Sequence, residues 1–166
     1  MTNYIFKIAS CHDEYEQIHT LNHEVFAKEI SQHGIRQDAR LIENTYIICK
    51  SGTEVLGMLA IRDVRPFSVD LKLAGLNLKA LEKYVPASKR MCEIRLLSIK
   101  DCYRKTRILT GLLCKGYETL EQHGYDLFLI NGILEQHSLY FRLGFNKFGP
   151  LIGKGRASFQ PMYMTY

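Results

Sequence analysis

The sequence has few of the features that would set it apart from ordinary globular proteins. Its five cysteines, Cys11, Cys49, Cys92, Cys102 and Cys114, are an odd and scattered set without a CxxC pair. That argues against a disulfide framework and for a reducing cytoplasm. Four prolines and twelve glycines in 166 residues are too few for a collagen-like or disordered segment. The longest apolar runs, such as Leu127 to Ile130, fall far short of the roughly 20 residues of a membrane span. The first seven residues, Met1-Thr2-Asn3-Tyr4-Ile5-Phe6-Lys7, lack a signal-peptide core. No repeat, low-complexity tract or glycine/serine linker divides the chain, so residues 1–166 read as one domain. A domain of this length buries roughly 70% of the surface its unfolded chain exposes, enough for a core without disulfides or structural metal.

What the chain does have is uneven charge. Between Pro86 and Arg107 stand seven cations (Lys89, Arg90, Arg95, Lys100, Arg104, Lys105, Arg107) against Glu93 and Asp101, so this stretch carries the whole formal net charge of +5. A nucleic-acid site would show a wider basic face with interleaved aromatics, and Tyr103 is the only aromatic among these cations. The stretch suits an acidic protein or a phosphate, or is a solvated surface.

The order of elements is legible from periodicity. Tyr4 to Ala9 reads as a strand, and Ser10 offers a helix N-cap. Apolar residues Tyr15, Ile18, Leu21, Val25, Phe26 and Ile30 then recur at three- and four-residue spacing, predicting a helix from Asp13 to about Glu29, with Gly34 as its stop. Thr45 to Lys50 and Glu54 to Asp63 read as an antiparallel hairpin about Ser51-Gly52-Thr53. Residues 64–90 are irregular, with one short helix expected through Leu76, Leu78, Leu81 and Tyr84. Cys92 to Ile99 is a strand, Lys105 to His123 a helix capped by Gly124, and Asp126 to Asn131 a buried strand; together they predict a parallel crossover unit. Glu135 to Leu143 forms a short helix closed by Gly144, and Phe145 to Phe148 and Phe159 to Thr165 are final strands. The expected fold is α/β (α+β), a mixed sheet of six or seven strands flanked by helices.

That order, with Ser138-Leu139-Tyr140-Phe141-Arg142-Leu143-Gly144-Phe145 on the last helix, resembles the GNAT superfamily of N-acyltransferases, in which a Tyr four residues before Gly-Phe recurs. Leu21-Asn22-His23-Glu24-Val25-Phe26-Ala27-Lys28-Glu29 is similar to the Arg-Tyr-x-Val-Phe-x-x-Glu helix of acyl-homoserine lactone synthases and bacterial N-acyl amino acid synthases. Val25, Phe26 and Glu29 match; Asn22 and His23 replace the Arg and Tyr. Cys92-Glu93-Ile94-Arg95-Leu96 resembles the Glu-x-Arg strand of the same enzymes, and His137 paired with Tyr140 resembles the amino acid synthase branch. Ordinary acetyltransferases of the superfamily carry Arg/Gln-x-x-Gly-x-Gly/Ala at the start of the long helix, where glycines admit a pyrophosphate to backbone NH groups. Here the segment is Arg104-Lys105-Thr106-Arg107-Ile108-Leu109, with both glycines replaced. The resemblance therefore implies acyl carrier protein as donor, docked on Arg104, Lys105 and Arg107, with acyl-CoA as the alternative.

Acyl transfer from a thioester to an amine must remove a proton from the ammonium, stabilise a tetrahedral oxyanion and protonate the leaving thiolate. Glu93 is the candidate base, or else a carboxylate paired with Arg95 or Arg90. Arg95, on the same strand face, is placed to bind an amino-acid carboxylate, or forms a structural ion pair. By the resemblance Tyr140 is the proton donor to sulfur; by periodicity alone it is core. Asn131 ends a strand at a ligand-binding edge or merely forms a turn before Gly132. His137 assists proton transfer, caps the helix or stays in solvent. Amides near Leu97 form an oxyanion hole if a β-bulge opens there, and Phe26 and Glu29 line the substrate side of the first helix. His19 and His23 lie one turn apart, but nothing completes a metal site. The expectation is a cytoplasmic, bacterial N-acyltransferase acting on a small-molecule amine, without metal, nucleic acid or membrane span. A GNAT acetyltransferase using acetyl-CoA and a non-catalytic ligand-sensing or protein-binding module are the alternatives.

Overall fold

The hairpin read from the sequence is the centre of the first half of the structure. A computed structural model describes residues 3–33, 44–74, 81–85, 90–104, 106–153 and 158–166, with backbone alone at 26–33 and 74. Its seven strands are β1 (Ile5–Ile8), β2 (Thr45–Ser51), β3 (Glu54–Arg62), β4 (Met91–Ile99), β5 (Leu127–Ile133), β6 (Asn146–Lys147) and β7 (Phe159–Thr165). They follow the order β1-β2-β3-β4-β5-β7-β6 in one mixed sheet. Among the described residues four helices accompany it: α1 (His12–His33), α2 (Ser68–Ala74), α3 (Ile108–Gln122) and α4 (His137–Arg142). The chain divides into two compact units, Met1–Ile61 with Arg95–His123, and Arg62–Ile94 with Gly124–Tyr166.

In the first unit, β1 pairs antiparallel with β2 and β2 with β3. Ser51 opposes Glu54, so the turn is the two residues Gly52-Thr53, and Gly52 takes a left-handed φ of 57° that a side chain would resist. The unbroken apolar runs of β2 and β3 have a simple cause: Tyr46 to Cys49 and Val55 to Ile61 are buried throughout, as in strands covered on both faces. One side packs Ile18, Leu21 and Val25 of α1 against Tyr46, Ile48, Met58 and Ala60. Each such aliphatic side chain contributes about 1.5–3 kcal/mol of burial. On α3, Ile108 and Leu112 lie within 3.1–3.3 Å of where a Cβ on Gly57 would stand, and the ring of Phe6 fills the space over Gly111. Both glycines therefore set how closely helix and strand approach.

α1 does not use Ser10 as its cap. The Ser10 hydroxyl accepts from Lys7, while its amide donates to Glu14 in the first turn at 2.9 Å. The helix runs to His33, past the expected Glu29. Gly34 lies outside the described residues, as do the side chains of Phe26 and Glu29.

In the second unit, Met91 to Glu93 pair parallel with Leu127 to Leu129, as the crossover unit predicts, and β7 pairs antiparallel with β5 and β6. Its core joins Phe67 and Val69 to Leu81, Val85, Leu127, Leu129 and Phe148. α2 was not anticipated. The expected helix through Leu76 and Leu78 falls outside the described residues, with Leu81–Lys83 a single 3-10 turn. α2 lacks a good cap at Phe67, and tertiary partners supply one. Asp70 Oδ2 accepts from the Phe67 amide at 2.8 Å while Arg65 binds the same carboxylate, and Glu93 accepts the next two amides. α4 follows a 3-10 turn, Leu134–Gln136, and closes at Gly144, whose φ is 94°.

Candidate active site

Glu93 is 1% exposed, so its carboxylate must find hydrogen bonds within the protein. It finds them on α2. The Ser68 amide donates to Oε2 at 2.9 Å and the Val69 amide to Oε1 at 3.0 Å. The Ser68 hydroxyl donates to Oε1 at 2.5 Å. Asn131 Nδ2 donates to Ser68 Oγ at 2.7 Å and lies 3.4 Å from Glu93 Oε1. These donors are all uncharged. Among the described residues Glu93 forms no ion pair, so the expected alternatives of Arg95 and Arg90 as partners do not hold. Arg90 instead lies 4.8 Å over the Tyr125 ring, and its amide donates to Asp126.

Asn131 is not a turn residue either; it and Gly132 both lie within β5, paired with Pro161 and Gln160. Its side chain joins the Glu93 cluster, leaving Oδ1 buried without a partner. Gly132 points to the other face, since successive strand residues alternate. There the Tyr140 ring stands 2.9 Å from where a Cβ on Gly132 would be, so only glycine admits it without a shift. Tyr140 also donates its hydroxyl to Gln136 at 3.0 Å and packs edge-on against Phe145. His137 belongs to this second face. Burial lowers its pKa, with Lys147 adding to the effect and a hydrogen bond to the Gly132 backbone opposing it. The ring is thus favoured neutral, with Nε2 buried and unpartnered. The structure accordingly brings together Glu93, Asn131 and the unforeseen Ser68 on one face of β5, and Tyr140 and His137 on the other.

Farther along β4, Arg95 is half-buried and forms no ion pair among the described residues. Leu96 has φ 54°, the one left-handed non-glycine residue among those described. For a residue with a Cβ that conformation costs of order 1–2 kcal/mol, and it interrupts the strand's alternation immediately before Leu97. The basic stretch is thinner in space than in sequence. Lys100 pairs with Glu54 at 2.6 Å and Arg104 with Asp101 at 3.1 Å; Lys105 and Lys89 lie outside the described residues. Arg107 is exposed at the N-cap of α3, and its side chain makes no capping hydrogen bond. Thr106 instead accepts from the Ile108 amide at 3.3 Å. Among the described residues no three His, Cys, Asp or Glu side chains are grouped to hold a metal, and no helix is long and apolar enough to cross a membrane.

This arrangement of strands and helices is the GNAT acyltransferase fold. The N-acyl amino acid synthase FeeM from uncultured soil microbes superposes with a TM-score of 0.78 over 99% of this chain and 92% of its own, at 14% identity. The CoA-dependent acyl-homoserine lactone synthase BjaI, solved with SAM and isopentyl-CoA, gives 0.74 over 98% and 83%, at 11% identity. A GNAT-family acetyltransferase from Staphylococcus aureus gives 0.68 over 98% and 99%, at 12% identity. No protein-family model matches the sequence, and no curated protein matches it.

Proposed function

We propose that the chain is a single-domain, cytoplasmic N-acyltransferase that moves an acyl group from a thioester to the amine of an amino acid or similar small molecule. One observation carries the reading: a fully buried carboxylate, Glu93, held by neutral donors alone. Its partners are backbone amides and one hydroxyl, and that hydroxyl, Ser68, gives the buried carboxylate a hydrogen-bonded path along which a substrate proton can arrive, as a general base requires. The likeness to FeeM and BjaI supports this chemistry.

In this reaction Glu93 receives the proton of the attacking ammonium. Arg95, two residues on along the same strand and without an acidic partner among the described residues, binds the acceptor's carboxylate bidentately. The left-handed Leu96 supports an oxyanion-binding amide at Leu97. The resemblance assigns Tyr140 the proton for the departing thiolate, which it would deliver from the face of β5 opposite Glu93. Arg107, with Arg104 and Lys105, receives the phosphate-bearing donor, and the two missing glycines favour acyl carrier protein over free coenzyme A. The test is thiol release by purified protein given mixed amino acids, with long-chain acyl carrier protein in one vessel and acetyl-CoA in another. Release from the carrier protein alone is the expected result, with product mass identifying the amine. Release from acetyl-CoA alone assigns the chain to the acetyltransferases, and silence in both removes the enzymatic reading.

A further inference from the structure

We propose that Ser68 is a catalytic proton relay, accepting a hydrogen bond from the substrate amine and passing its own hydroxyl proton to Glu93. This rests on the acyl-transfer reading and adds a residue that no sequence motif marks. The argument is one of hydrogen-bond capacity. Glu93 is 1% exposed, and Oε1 and Oε2 are already engaged by the Val69 amide, the Ser68 amide and the Ser68 hydroxyl. An amine therefore has little direct access to the carboxylate, whereas Ser68 is only half-buried.

A hydroxyl has one proton and two acceptor lone pairs. The Ser68 proton goes to Glu93 Oε1, so the contact to Asn131 must be one in which Ser68 Oγ accepts, from Nδ2 at 2.7 Å. That fixes the amide's orientation and leaves one lone pair on Oγ without a partner. Asn131 thus acts as a positioning residue: by occupying one lone pair it keeps the hydroxyl proton on the Glu93 side. When an ammonium N–H fills the remaining lone pair, its proton passes to Oγ as the Ser68 O–H proton passes to Oε1. The amine is left neutral to attack the thioester carbonyl, Ser68 is regenerated and Glu93 becomes a neutral acid that later loses its proton to solvent. No covalent bond to Ser68 forms.

The experiment measures thiol release from long-chain acyl carrier protein and from acetyl-CoA, with mixed amino acids, for the wild type, Ser68→Ala and Ser68→Thr. Thermal midpoints are recorded for each, and the quenched enzyme is weighed by intact-mass spectrometry. The relay predicts that Ser68→Ala lowers kcat about 100-fold with KM within about threefold, and that Ser68→Thr, which keeps a hydroxyl, restores most of it. Turnover by Ser68→Ala within threefold of wild type overturns the relay and leaves the acyl-transfer reading standing. So does an acyl adduct on Ser68, which assigns a covalent route instead. A loss that Thr does not restore, or that a fallen midpoint accounts for, reduces Ser68 to a structural cap of α2. Absence of turnover by wild type with both donors overturns the acyl-transfer reading and the relay together.

Discussion

Two buried glutamates, one in each compact unit, face opposite kinds of partner. Glu14 and Glu93 are each 1% exposed. Glu14 is bound by two cations, Lys7 at 2.8 Å and Lys50 at 3.0 Å, together with the Ser10 amide. Burial works against its charge, but those hydrogen bonds and the positive field of Lys50 outweigh it and hold its pKa near 2. It is committed to the carboxylate form across the physiological range. Glu93 has amides and a hydroxyl where Glu14 has ammonium groups. Equal burial therefore has two settings: a carboxylate between two cations, which ties the start of α1 to β1 and β2, and a carboxylate surrounded by uncharged donors.

The largest effect that tests this contrast is on activity. Glu93→Gln removes the proposed base and turns an NH2 toward the amide donors of α2, so kcat is expected to fall at least 100-fold and the thermal midpoint by several degrees; thiol release well below that midpoint, beside calorimetry, measures both. If turnover persists, the contrast between the two glutamates is only one of partners. Glu14→Gln is expected to leave kcat near wild type and to act on stability alone. A pKa held near 2 against the ordinary 4.5 corresponds to about 3 kcal/mol of stability at neutral pH, and roughly 6–12 °C in Tm for a chain of this size. Because the folded carboxyl is the stronger acid, this contribution is complete above about pH 5 and is lost as pH falls from about 4.5 toward 2. Denaturant titrations at pH 7, 4 and 2.5 should show the wild-type curve converging on that of Glu14→Gln.

The two units also differ in how much of them could be read from sequence. The first is built from long periodic runs, so β1, α1, β2 and β3 emerge within a few residues of their true limits; what escapes is Ser10, which meets the first turn of α1 through its amide and Glu14 rather than through its hydroxyl. In the second, β5, α4 and β7 are legible, but α2 is not. Its seven residues are too few to show a period, and its cap comes from Glu93, 25 positions away. Asp70, three residues after Phe67, is the local trace of the helix start. Ser68 was missed for the same reason, since nothing nearby distinguishes it until Glu93 and Asn131 close around it. Glu93 and Asn131 could be nominated only by resemblance, and the left-handed Leu96 leaves no mark in composition. Charge misleads in the other direction: counting along the chain includes Lys100, although folding pairs it with Glu54.

On the opposite face of β5, smaller effects are expected. Tyr140→Phe deletes the proposed proton donor but keeps the ring against Gly132. A thiolate is a good leaving group, with a thiol pKa near 8.5, so kcat is expected to drop only about tenfold, and most at high pH where solvent protons are scarce. A loss as large as that of Glu93→Gln would instead place Tyr140 at the same step as the base.

The smallest effect concerns the donor. Of the cations in the basic stretch, Arg104 is paired at the surface with Asp101, whereas Arg107 is exposed and forms no ion pair among the described residues. Its contribution should be a long-range attraction across solvent, weak and screened, because a Debye length is about 10 Å at 0.1 M salt. Arg107→Glu is expected to raise KM for the carrier-protein donor about three- to tenfold at 20 mM salt. The difference should disappear above about 0.5 M, with kcat unchanged throughout. A defect that survives high salt would mean that Arg107 grips a phosphate directly, a short charge-assisted contact that salt does not screen away. The basic stretch would then be a coenzyme site despite its missing glycines.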